Sequence, residues 1–227
     1  RIRKVTSRGP VGFRGPGFSC PPEVLSVLHR MGYAYDASVF PTSVAPLARW
    51  FFLLKSGLSG AKRDDAKELY GGFSSVFQPN RPFQRSIDPG DPGRLIWEVP
   101  VTVLPLARTP IHFSYLAYLG SFSLAAAKAY FRSTLSLCRM TGTPPSLLLH
   151  PTDFLGREDD TQLQYFPGMK MSRVGKLTLV GWALETLLDS YAVSTLADQV
   201  RSLDPDLPTI DRVVPEETPE DRMAVHA

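Results

Sequence analysis

Cysteine is nearly missing from this chain, histidine is scarce, and acids are missing from its first fourteen residues. Only Cys20 and Cys138 occur in 227 residues, too far apart for a zinc motif or a disulfide framework, and they leave the redox compartment open. The four histidines, His29, His112, His150 and His226, are widely separated, which excludes the short paired-histidine metal motifs. There is no Gly-x-Ser-x-Gly elbow, no phosphate loop and no dinucleotide fingerprint. No signal-peptide pattern is present and the first residue is Arg1 instead of Met. Long apolar runs are also lacking. The nearest, 109–127, approaches the ~20 residues of a membrane span, but it carries His112 and several hydroxyls and reads as buried loop and helix start.

What is present is a chain of ordinary globular composition, 43% apolar and 21% charged, long enough for one sizeable core or for part of a larger domain. The net charge of +3 is too small to argue for a nucleic-acid or membrane partner. Its distribution is uneven: Arg1, Arg3, Lys4, Arg8 and Arg14 open the chain, and seven acids stand against two arginines in 204–227. Without an aromatic ladder the basic start reads as a solvated terminus, not a nucleic-acid arm. The acidic stretch reads as a disordered tail.

Strand and helix signals alternate between these ends. Residues 11–13 read as a strand end. Ser19 or Cys20 then caps a helix with Pro21 and Pro22 in its first turn and Val24, Val27, Leu28 and Met31 at helical spacing, closed by Gly32. A short strand follows near 37–40. Residues 41–94 read as an irregular excursion. It holds one apolar and one polar helix pattern, then "QPNRPFQRSIDPGDPGR", turn after turn. Residues 94–104 read as a strand broken by Pro100. Ser123 caps a helix with Leu124, Ala127, Phe131, Leu135 and Cys138 on one stripe. Residues 146–150, "SLLLH", read as a buried strand. Ser172 opens a helix through Leu177, Val180, Leu184, Leu187 and Tyr191, and "YAVSTL" reads as a final strand. The expected class is α/β, a parallel sheet or barrel covered by helices.

In such folds ligands meet the carboxyl ends of the strands. Two polar side chains stand there, Arg14 after "VGF" and His150 after "SLLL". A histidine at that position, held by Pro151, suits a general acid or base. His112, in the aromatic loop "PIHFSY", is a candidate for lining a groove. The acidic pairs Asp64–Asp65 and Asp159–Asp160 follow no apolar strand and read as surface charge.

"GFRGPGFS" followed by "VLHRMGYAYDASVFP" resembles the middle segment of the polysaccharide deacetylase family, the NodB-homology hydrolases, with its Arg-x-Pro motif. "WEVPVTVLP", "SLLLHPTDFLG" with its Leu-x-His motif, and "FPGM" before the last helix extend the resemblance over most of 5–200. It implies a distorted (β/α) barrel of the NodB type over 1–203, in which a divalent metal, usually zinc, activates water to remove N-acyl groups from amino sugars. By position, Arg14 would orient the catalytic base and His150 would protonate the leaving amine. Pro16 and Gly17 would shape the groove wall, with His112 and Tyr115 beside the carbohydrate. The family's Asp-Asp and His-x-x-x-His motifs lie before Arg-x-Pro, and no Asp or His precedes Arg14 here, so no metal ligand or base is assigned. The expectation is the C-terminal portion of a deacetylase domain whose N-terminal half is missing. The alternatives are a non-catalytic remnant that binds carbohydrate or a partner chain, and a deacylase of a lipid-linked amino sugar.

Overall fold

The computed structural model describes residues 2–44, 76–88, 90–160, 162–163, 166 and 168–207. After a single helical turn, α1 (Ile2–Thr6), strand β1 (Gly12–Phe13) runs parallel to β2 (Tyr35–Asp36), with Phe13 opposite Asp36. A parallel pair needs a crossover, and helix α2 (Pro22–Arg30) supplies it. Gly32, at φ 74°, takes the left-handed conformation just past its end. Strands β3 (Phe83–Asp88) and β4 (Asp91–Glu98) form an antiparallel hairpin, and β4 pairs parallel with β2, placing Glu98 opposite Asp36. The sheet order is β1-β2-β4-β3. The chain is therefore mixed α/β with a four-stranded mixed sheet.

The helical half follows: α3 (Phe113–Gly120), α4 (Leu124–Met140), α5 (Arg173–Leu188) and α6 (Leu196–Leu203). Phe113, Leu116, Phe131, Leu135, Leu179, Val180 and Ala183 form its core, with the Trp182 ring against Phe131 at 5.9 Å. Ser123 and Ser172 cap α4 and α5 as their sequence positions predict, accepting from the Ala126 and Gly175 amides. The cationic face of α4 is spent on rings: Lys128 and Arg132 lie 5.0 and 5.1 Å from the Trp182 centroid, and Arg139 lies 5.7 Å from that of Tyr191. The run 109–127 divides between α3 and the start of α4. Among the described residues no helix is long and apolar enough to cross a membrane.

Several expectations need correction. Residues 146–150 are not a strand. Pro144 and Pro145 lack amide hydrogens, the Ser146 amide donates to Thr102 Oγ1 (2.7 Å), and the Leu148 carbonyl accepts from the Phe113 amide (3.1 Å), so no ladder forms. "YAVSTL" is an irregular lead into α6, because Thr195 turns its side chain to cap that helix. Pro21, not Ser19 or Cys20, is the N-cap of α2, and no side chain caps it. On α2, Leu25 and Leu28 are buried while Val27 and Met31 are exposed; on α4 and α5, Leu124 and Leu177 face solvent. The turn-rich part of 41–94 contains the β3–β4 hairpin, whose bend is held by Asp88 accepting from the Gly90 amide (2.8 Å). Asp204 and Leu207 are ordered, since Trp97 Nε1 donates to Asp204 (3.1 Å) and Leu207 packs with Ala37 and Val99. The two helix patterns expected within 41–94, the pair Asp64–Asp65 and the rest of the acidic tail lie mainly or wholly outside the described residues.

Asp36 and Glu98 are both fully buried where β2 and β4 end. Ser38 Oγ donates to Asp36 Oδ1 (2.6 Å) and accepts from the Gly15 amide (2.7 Å); Glu98 Oε1 accepts from the Val39 amide (2.9 Å). Arg85 Nη1 lies 3.4 Å from Glu98 and 3.9 Å from Asp36. Among the described residues no hydrogen-bond donor reaches the buried Asp36 Oδ2. Burial foremost, and then the charge of Asp36, push the Glu98 carboxyl up to about 8. A proton kept on Glu98 supplies the donor that Asp36 lacks.

Between the ordinary glutamate value of 4.5 and about 8, the folded chain holds a proton that the unfolded chain has released. The Glu98 contribution is thus complete at the acid end and is lost as pH rises through that window. Glu98→Gln keeps the shape and cannot ionise. Its urea midpoint, relative to the parent chain, is expected to rise steadily from about pH 5 to about pH 9; a difference constant with pH would contradict the assignment.

Candidate active site

The segment after β1 is a tight turn. The Phe18 amide donates to the Gly15 carbonyl (3.0 Å) and the Ser19 amide to that of Pro16 (3.2 Å), with Gly17 and Phe18 at φ 60° and 63°. Gly15 is buried and a Cβ there would collide with the Ser19 carbonyl. Arg14 leaves this turn inward. Its Nε donates to the Ala37 carbonyl (2.8 Å), and burial lowers its pKa against the raising influence of Tyr35, Asp36 and Glu98. Arg14 is thus a clamp between the ends of β1 and β2, while Pro16 and Gly17 form the exposed tip.

From that tip a row of rings leads across the molecule. Phe18 meets Phe40 at 4.8 Å, Phe40 meets His112 at 5.6 Å, and His112 meets both His150 (6.0 Å) and Tyr115 (6.4 Å). Along α3 the row continues from Tyr115 to Tyr118 (6.4 Å) and from Tyr118 to Phe122 (5.2 Å), since these residues follow one another at helical spacing. His112 immediately precedes α3, with its Nδ1 buried and without a hydrogen-bond partner among the described residues. Burial foremost, then the neighbouring His150, pushes its pKa down to about 4, so its ring is neutral.

His150 precedes the 3-10 turn Pro151–Phe154, with its side chain 42% exposed. The buried Asp153 binds back to it: Asp153 Oδ2 accepts from the His150 amide (2.7 Å) and Oδ1 from Ser114 Oγ (2.6 Å). Ser114 Oγ lies 3.2 Å from His150 Nδ1. From α5 the buried Lys176 donates to the Thr152 carbonyl (2.8 Å), fixing the turn from behind. The acids 158–160 serve the neighbouring loop. Glu158 and Asp159 accept from the Arg173 and Gly156 amides (both 2.7 Å), and Asp160 accepts from the Gln162 amide.

The fold therefore brings His112, Tyr115, His150 and the Arg14–Phe18 turn into one connected row, with Arg14 Nε bound to the Ala37 carbonyl. Phe18, Phe40, Ser114, Asp153 and Lys176 were not singled out from sequence. Asp153 had one signal, an acid three residues after a histidine at a helical-turn start. Among the described residues no three His, Cys, Asp or Glu side chains are placed to hold a metal ion. Asp36 and Glu98 are engaged with Arg85, Ser38 and the Val39 amide, so this donor set does not fit the zinc that the resemblance implies. Cys20 and Cys138 are free thiols, raised by burial to about 12 and about 11. Comparison with protein-family models, with curated proteins and with solved structures found no match.

Two outcomes follow from this geometry. Between 6.5 and about 4 the unfolded chain binds a proton that folded His112 refuses, so stability is lost as pH falls through that window. His112→Phe keeps a ring and removes the titration; its urea midpoint should gain on that of the parent as pH drops from about 7 to about 4, and a constant gap would refute it. Gly15→Ala should lower the thermal midpoint, because its Cβ meets backbone that cannot rotate away; calorimetry showing no change would contradict the tight turn.

Proposed function

We propose that this chain carries the leaving-group side of a carbohydrate N-deacylase site of the polysaccharide deacetylase kind. In this reading the four strands are an arc of a distorted (β/α) barrel. The observation that carries it is the unbroken row from Phe18 through Phe40 and His112 to His150, which joins the Arg-x-Pro turn to the Leu-x-His histidine. Aromatic faces with polar tips suit the mixed apolar and hydroxyl surface of a sugar. Hydrolysis of an N-acyl amide places the oxygen of water on the acyl carbon and requires a proton on the departing nitrogen. A partly exposed imidazole whose backbone is held by a buried carboxylate is placed to give that proton. The uncharged His112 beside it offers hydrogen bonding without competing for the proton.

The test is binding of N-acetylglucosamine oligomers to the chain, followed by ring NMR signals. Saturable shifts at His112 and Phe40 are expected. Phe40→Ala should weaken binding about tenfold, the factor that ~1.4 kcal/mol of ring contact corresponds to. Oligomers that leave those signals unmoved would refute the reading. Acetate release that is lost in His150→Gln supports hydrolysis, whereas binding without release favours the non-catalytic remnant. The lipid-linked alternative rests on Tyr118 and Phe122, which carry the row into solvent at 44% and 75% exposure. It is favoured if a detergent-solubilised lipid-linked amino sugar binds and the soluble oligomer does not.

A further inference from the structure

Ser114, His150 and Asp153 bring together the three residue types of a nucleophilic triad, but their arrangement is different. In such a triad the serine and the carboxylate address opposite nitrogens of the imidazole. Here both face Nδ1: Ser114 Oγ at 3.2 Å and Asp153 Oδ2 at 3.7 Å. The second distance is too long for a hydrogen bond. The first is within range, and its direction can be worked out.

The serine hydroxyl has one proton and two lone pairs. Its shorter contact, 2.6 Å to Asp153 Oδ1, takes the proton, because a carboxylate oxygen can only accept. Asp153 is held in this pose by the His150 amide at 2.7 Å and is almost wholly buried. Toward Nδ1 the serine therefore presents a lone pair. A bare Nδ1 would set two lone pairs against each other, with a carboxylate oxygen behind them. A protonated Nδ1 instead completes the chain Nδ1–H to Ser114 Oγ–H to Asp153.

We infer that Ser114 is the bridge through which Asp153 fixes neutral His150 as the Nδ1–H tautomer, leaving Nε2 as the nitrogen that exchanges a proton with a bound ligand. Ser114 is a positioning residue in this scheme and not a nucleophile. Its oxygen is occupied on both sides, and its proton is directed to Asp153, away from the imidazole. The importance of the bridge for chemistry rests on the proposed role of His150; the tautomer itself does not. The Lys176 bond to the Thr152 carbonyl supports the same turn from the opposite side.

The test is 15N NMR of the full chain labelled at histidine, with the His150 signals identified by their loss in His150→Gln. At a pH where His150 is neutral, Nδ1 is expected in the protonated, pyrrole-type range and Nε2 in the bare, pyridine-type range. The reverse assignment overturns the inference. In Ser114→Ala the single tautomer should give way to an averaged pair of signals, and Ser114→Thr, which restores the hydroxyl, should recover it. A fixed tautomer in Ser114→Ala would also overturn the bridge. The parent spectrum decides the tautomer even if that variant fails to fold. The sugar-binding and acetate assays can fail while the tautomer stands, so the two readings fall separately.

Discussion

Burying two carboxyls side by side where β2 and β4 end is the constraint on which the rest of this fold depends. Isolated buried charges cost several kcal/mol each, so Asp36 and Glu98 must be served by neighbours. The structure sends one from nearly every element nearby: Arg85 from β3, the Val39 amide and Ser38 hydroxyl from beyond β2, and through Ser38 the Gly15 amide of the turn after β1. Slipping β4 by one residue against β2 would turn Glu98 to the other face and break its pairing with Asp36. The pair thereby sets the register of the sheet and the pose of the turn. The retained proton on Glu98 removes one of two like charges that the interior could not hold together.

The candidate site depends on that cluster at one end and on the helical half at the other. Ser38 and Val39 are fixed by the carboxyls, and the next residue, Phe40, is the ring that reaches His112. From the helical side, the Phe113 amide holds the Leu148 carbonyl, Ser114 at the start of α3 meets Asp153, and Lys176 of α5 grips the turn after His150. The row of rings thus runs from the turn after β1 to the start of α3, whose Phe113 and Leu116 belong to the helical core. A ligand along it would touch groups positioned by the carboxyl cluster and by the helical half.

Ser123 and Ser172 were legible as helix starts because a cap acts over three residues of the same chain. Arg14 and His150 were legible as polar residues following apolar runs. The hairpin β3–β4 was hidden by its own turns. Proline, aspartate and glycine between Gln78 and Gly93 drew attention away from the alternation in Phe83, Arg85 and Ile87, which sit deeper than Gln84 and Ser86 between them. The reverse error occurred at 146–150, where three leucines suggest a strand. Two prolines and the demands of Thr102 divert its hydrogen bonds, so the same leucines lie in an irregular segment with Leu149 36% exposed.

The sequence by itself determined the helices α2, α4 and α5 and the serine caps of the last two, because these are set by contacts within a few residues of backbone. Only the tertiary structure decided the partners. Arg14 reaches the Ala37 carbonyl, Ser114 meets Asp153 across thirty-nine positions, and Glu98 faces Asp36 across a parallel register. The physical reason is that a hydrogen bond or a shared proton depends on distance in space. Chain order leaves that distance open until the apolar side chains have packed.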